Sequence, residues 1–171
     1  TGGGALVVGN YGPKLIENCV FVDNWTDGDN GQGGAVGVTG SPFATITGCT
    51  FTGNHQTYLG LGGSAIYFYT NASLTNCVVE GSYGNTAAYV VPGYGVTTGC
   101  NVYWGNADGI GIPLSVTDIE ADPQFCAPDT GDFTLRGGSP CLPDSSGGCG
   151  QVGALGMGCE DVSVDATTWA K

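Results

Sequence analysis

Apolar and polar positions alternate with a period of two in short runs, and the runs themselves recur along the chain. In Gly33–Asn54, GGAVGVTGSPFATITGCTFTGN, the frame places Ile46, Cys49 and Phe51 inward and Thr45, Thr47, Thr50 and Thr52 outward, with Gly48 at a bend. Such alternation predicts half-buried strands. The frame returns upstream in Gly3–Asn24 (Ile16, Cys19, Phe21) and downstream in Gly62–Ser82 (Leu74, Cys77, Val79), with a fainter copy from Ala87 to Asn106. Ala5, Ala35 and Ala65 stand thirty residues apart, and Cys19, Cys49, Cys77 and Cys100 follow at spacings of 30, 28 and 23. Repetition on this scale predicts a solenoid. A single coil cannot bury its own apolar face, whereas coils stacked at ~4.8 Å share a continuous core. With no helical period, the chain reads as an all-β parallel β-helix.

Three regions follow: about four to six coils over residues 1–117, a Cys/Pro/Gly-rich C-terminal cap over 118–159, and an extended tail over 160–171. In the tail, Val162, Val164 and Trp169 are apolar enough to dock as a strand, on this chain or on a second copy. A solenoid leaves strand edges at its ends. The first repeat begins at once, so the first coil is expected to seek a partner, and a head-to-tail contact that does not close makes a filament.

The cysteines divide between the first two regions. Cys19, Cys49, Cys77 and Cys100 read as a column of free thiols acting as small core hydrophobes. That arrangement is favoured over pairing between neighbouring coils, because a ~4.8 Å Cα separation lies near the short end of disulfide geometry. Cys126, Cys141, Cys149 and Cys159 lie where little core is available, and there cross-links stabilise most. Among their three pairings, Cys126–Cys141 with Cys149–Cys159 is the expectation. Zinc finds no CxxC and no nearby histidine.

Charge narrows the partners. Fifteen acidic residues face Lys14, Arg136 and Lys171, a formal net charge of −12. Nucleic acid and anionic membranes are poor partners for such a surface, and acidic polysaccharides are repelled. No run of eighteen apolar residues occurs, so no membrane-spanning helix is expected. Eight cysteines in a lysine-poor chain point to an extracellular or cell-surface setting. The chain starts at Thr1, which fits either a removed leader or a fragment. Gly 33 without a G-X-Y period excludes collagen.

The repeat GGA…(N/G)C-x-F-x-x-N resembles the right-handed parallel β-helix repeats of the pectin-lyase-like superfamily. The stretch Asp122–Cys159, DPQFCAPDTGDFTLRGGSPCLPDSSGGCGQVGALGMGC, resembles the ending of many secreted bacterial proteins of that group. The resemblance implies a right-handed winding and secretion. It leaves activity open, because that superfamily mixes lyases, hydrolases, adhesins and structural proteins.

Relatives that cleave polysaccharides use an arginine or lysine base with aspartate-bound calcium, or aspartates grouped on adjacent coils. This chain has Lys14 and Arg136 outside the tail, and Glu17 and Glu80 as isolated acids in different coils. His55 sits alone at a corner, without a nucleophile held by spacing. Asp118, Glu120 and Asp122 would share one face of a strand, which reads as an acidic edge that discourages aggregation. Asp23, Asp27, Asp29 and Asn30 offer oxygens to Ca²⁺, but not at EF-hand spacing, and a solvated turn is the commoner use of Asp-Gly and Asn-Gly. No catalytic residue and no cofactor are expected, with calcium the one candidate. Asn24 and Asn71 begin glycosylation sequons.

A secreted structural or adhesive solenoid that self-assembles is therefore the leading expectation. A carbohydrate-binding or adhesin module is the alternative, supported by the tyrosines and Trp104, and a polysaccharide lyase or hydrolase is the second. Thr45, Thr47, Thr50 and Thr52 resemble an ice-binding array, but their equivalents Leu15, Glu17, Val20 and Val22 break it.

Overall fold

Each coil turns twice through left-handed backbone. The first of these corners holds Asn18, Gly48, Asn76 and Cys100 at φ 53°, 60°, 52° and 59°. The second holds Asp23, Gly53, Gly81 and Gly105 at φ 50°, 64°, 64° and 59°. Positive φ favours glycine and asparagine, so the short NC and GC signatures mark where the chain bends. At Gly48 the neighbouring coil adds a second constraint, since a Cβ there would lie 2.6 Å from Asn18 Oδ1.

The computed structural model describes residues 4–9, 11–27, 32–57, 60 and 62–160. The first coil comprises β1 (Leu6–Gly9), β2 (Lys14–Glu17), β3 (Val20–Val22) and β4 (Trp25–Thr26). The second comprises β5 (Val36–Thr39), β6 (Ala44–Thr47), β7 (Thr50–Thr52) and β8 (His55–Gln56). β9 (Ile66–Tyr69), β10 (Ala72–Thr75) and β11 (Val78–Glu80) form the third; β12 (Ala88–Val90), β13 (Val96–Gly99) and β14 (Val102–Trp104) form the fourth. All pair in parallel: β4 with β8 as a two-stranded sheet, and the rest in three stacked sheets, β1-β5-β9-β12, β2-β6-β10-β13 and β3-β7-β11-β14-β15, the last adding β15 (Ile119–Glu120). Four strands per face make about three full turns, an all-β parallel solenoid.

Register sets the core. Val8, Val38, Phe68 and Val90 align, as do Ile16, Ile46, Leu74 and Thr98, and Phe21, Phe51, Val79 and Tyr103. Phe21 and Phe51 stack at 4.9 Å between ring centres. The inward-facing side chains of the second and third coils are buried, because each coil has a neighbour on both sides.

The thiol column holds Cys19, Cys49 and Cys77, all free. Its fourth place belongs to Asn101 rather than Cys100, and this corrects the expectation from spacing. Val20, Thr50, Val78 and Val102 align, so the residue before each shares a column, whereas Cys100 occupies the left-handed corner one position earlier. A one-residue offset on a strand moves a side chain to the other face. Cys100 accordingly points away from the core and bonds Cys149.

The last coil is covered by segment 107–118. Ile112 enters the main core. The N–H groups of Cys100 and Asn101 end on Thr117 Oγ1 and Asp118 Oδ1 at 3.0 and 2.9 Å. Asp118 is thereby a corner acceptor and Glu120 an exposed residue of β15. The register sets Glu120 opposite Tyr103 and Asp118 opposite Asn101, so these two share a face as alternation suggested.

Beyond β15 the chain folds back along the flank. β16 (Phe125–Ala127), a 3-10 turn (Pro128–Thr130), β17 (Asp132–Arg136) and β18 (Met157–Cys159) build a small sheet. Phe125, Leu135, Cys141 and Val152 form a second core against Val78 and Val102, two outward-facing positions of β11 and β14. Gly153 N–H donates to Asn76 O at 2.7 Å and Ala154 N–H to Thr50 Oγ1 at 3.0 Å. Two disulfides hold this lobe: Cys100–Cys149 ties it to the solenoid, and Cys126–Cys159 closes its own sheet. The expected pairs Cys126–Cys141 and Cys149–Cys159 are not formed. Cys141 is free and buried in the second core, where burial pushes its thiol up to about 11.

Candidate functional site

Outward positions of the strands carry the candidate chemistry. On the first sheet Val7, Gly37, Tyr67 and Tyr89 align, beside a second outward column of Gly9, Thr39 and Tyr69. Tyr67 and Tyr89 stack at 6.0 Å, and Tyr94 meets Tyr69 edge-on at 5.3 Å. Tyr69 and Tyr94 are 46% and 40% exposed. With Gln32 and Thr39, Tyr67 and Tyr69 line a cleft of about 390 Å³. The cleft combines ring surface with hydroxyl and amide groups. Of the aromatic candidates, Tyr103 lies in the core and Tyr58 outside the described residues.

A second aromatic group was not foreseen. Trp25, His55 and Tyr83 form a stack across three coils, with ring centres 6.0 and 4.5 Å apart and planes within 5° and 8° of parallel. β4 and β8 pair, with Trp25 opposite His55, and a bridge joins His55 to Tyr83. The lone corner histidine is thus the middle ring of a stack. In the sequence the three lie in unlike contexts, NWT, NHQ and SYG, and only the asparagine or serine before each marks their equivalence.

A third feature is a groove of about 580 Å³ between the third sheet and the C-terminal lobe, lined by Glu80, Trp104, Asp122, Phe125, Pro128 and Arg136 among others. Val22, Thr52, Glu80 and Trp104 align on the solenoid wall. Thr52 Oγ1 donates a short hydrogen bond to Glu80 Oε2. Two residues beyond β15, Asp122 Oδ1 accepts the Gln124 N–H at 2.8 Å. Burial raises the pKa of Glu80, opposed by the Thr52 hydrogen bond and reinforced by the charges of Asp122 and Asp23. Glu80 is therefore not the isolated acid that the repeat suggested. Arg136 donates from Nε and Nη2 to the carbonyls of Phe125 and Cys126, both at 3.2 Å.

The remaining candidates lie apart from these surfaces. Asp23 occupies a left-handed corner and Asp27 is exposed, while Asp29 and Asn30 lie outside the described residues. Among the described residues no three His, Cys, Asp or Glu side chains are grouped as metal ligands. Val162, Val164 and Trp169 also lie outside the described residues. Asn24 Nδ2 donates to Asn54 Oδ1 at 3.0 Å, and Asn71 is exposed, its Oδ1 accepting the Gly95 N–H. No helix among the described residues is long and apolar enough to cross a membrane.

No protein-family model, curated protein or solved structure matches the chain.

Proposed function

We propose that the chain is an extracellular, non-catalytic solenoid of the right-handed, pectin-lyase-like kind that binds carbohydrate as an adhesive or surface module. The tyrosine cleft on the first sheet carries this reading. Ring faces stack on the apolar face of a sugar while neighbouring hydroxyl and amide groups take up its hydroxyls, the mixed lining usual for such sites. Thr39, Tyr67 and Tyr69 supply that mixture from β5 and β9, each held by pairing on both sides, with Gln32 from the segment before β5. The two disulfides suit an oxidising compartment. A glycan array followed by calorimetry tests the reading. Wild type is expected to bind a neutral glycan, and Tyr69→Ala or Tyr94→Ala to lose at least about tenfold in affinity, or ~1.4 kcal/mol. Absence of binding across neutral and cationic glycans would sink it.

Self-assembly is the second reading. It draws on β1, β2 and β3, which among the described residues pair on one side only, an open edge of the sort that templates another strand. Sedimentation velocity across a concentration series tests it. A single monomer-sized species throughout would end that reading.

A further inference from the structure

We infer that the groove between the third sheet and the C-terminal lobe is a second, separate ligand site, which takes an amino sugar through its protonated amine. The ammonium sits between Glu80 and Asp122, and the sugar ring lies on Trp104.

Three observations on different parts of the groove converge. Glu80, on β11, and Asp122, two residues beyond β15, line the same groove and lie close enough for the charge of one to act on the other, so a cation there meets both carboxylates. Each is already oriented, Glu80 by the Thr52 hydroxyl and Asp122 by the Gln124 N–H, which lowers the ordering cost of binding. Trp104 stands in the same outward column as Glu80 and is 42% exposed, although large aromatics are usually covered. Its ring offers both a stacking platform for a sugar and an electron-rich face for a cation.

The guanidinium that lines the groove has backbone partners of its own. Arg136 directs two donors at the Phe125 and Cys126 carbonyls and holds the lobe together. The groove is also a built one, since Cys100–Cys149 and Cys126–Cys159 fix its outer wall against the solenoid. The chain's net charge of −12 favours approach of a cationic ligand and disfavours uronic-acid polymers. A saccharide bearing free amines is the class that uses the carboxylates and the ring together.

The test uses the full chain and three probes: a β-1,4-glucosamine hexamer, its N-acetylated counterpart and cellohexaose. Calorimetry is run with low and physiological salt compared. The expected result is about tenfold tighter binding of the free-amine hexamer, shrinking with salt. Glu80→Gln and Asp122→Asn should each remove that preference, and Trp104→Ala should abolish binding in the groove. Tyr69→Ala should leave the preference intact, and melting curves of every variant control for folding. Equal binding of the acetylated hexamer, or a preference that survives Glu80→Gln, overturns the groove site while the tyrosine-cleft reading stands. Equal competition by a lysine-rich peptide overturns the sugar assignment. If none of the three saccharides binds, the groove site falls, and the glycan array decides the tyrosine cleft.

Discussion

The backbone N–H of Cys77 donates to Asn101 Oδ1 at 2.9 Å, one coil further along the chain. In the two coils before, the equivalent N–H groups of Cys19 and Cys49 end on the sulfurs of Cys49 and Cys77, both at 3.5 Å. Sulfur is a weak acceptor and an amide oxygen a strong one. Asn101 also returns Nδ2 to Leu74 O at 2.8 Å and to Asp118 Oδ1 at 2.8 Å. It is fully buried, so Asn101→Ala orphans several groups, at ~1–3 kcal/mol for each left unsatisfied. The melting temperature is expected to fall by ~2–4 °C per kcal/mol. An unchanged midpoint in a thermal scan would contradict this role.

The disulfide map gives a chemical prediction. Peptide mapping without reductant should recover Cys100–Cys149 and Cys126–Cys159, and four thiols should titrate in denaturant. In the native protein Cys19, at the first coil and only half-buried, should react ahead of the fully buried Cys49, Cys77 and Cys141. The hydrogen bond from Cys77 lowers Cys49 to about 7, yet burial denies it reagent. Cys100→Ser opens a loop of 49 residues, for which chain entropy gives ~4 kcal/mol of lost stability.

Glu80 gives a pH dependence whose sign is fixed. Its pKa is raised in the folded chain, chiefly by burial, so the folded state holds its proton more tightly than the unfolded state does. Stability is highest with Glu80 protonated and is lost as pH rises through the folded pKa. Glu80→Gln should therefore melt above wild type at pH 7, with the gap closing as the pH falls to the ordinary value of 4.5. A gap that widens in acid would refute the assignment.

Ile112 closes the last coil, and its removal should be felt locally. Ile112→Ala costs ~2–5 kcal/mol if the site cannot collapse. Because coils couple mainly to their neighbours, hydrogen exchange should quicken in β12, β13 and β14 well before β1, β2 and β3. Uniform quickening would show that the solenoid opens as one unit.

The coils were readable because period two and the NC and GC corners report local geometry that every repeat must satisfy. Ile16, Ile46 and Leu74 fall in one column, as the repeat frame predicts. Cys100 was misplaced because counting between cysteines ignores register, which the valines Val20, Val78 and Val102 set instead. The lobe was not readable in the same way. Val78 and Val102 look like any outward strand residues until Phe125 and Leu135 are known to cover them. The meeting of Glu80 with Asp122 depends on how the chain leaves β15, and no spacing announces it.

The hydrogen bonds that the corner backbone N–H groups give to side chains have a direction, although the Asn54, Asn101 and Asn106 amides return bonds to the coil before. Cys19, Cys49 and Cys77 each donate forward to the following coil, as do Asn24 to Asn54 and Ser82 to Asn106. A ribosome delivers the donating coil first and its acceptor some tens of residues later. Each newly made turn thus waits for its successor, and the thiols wait longer still for Cys149 and Cys159. Oxidation of this chain belongs after Cys159 has been made, when the last turn has sealed the one before it.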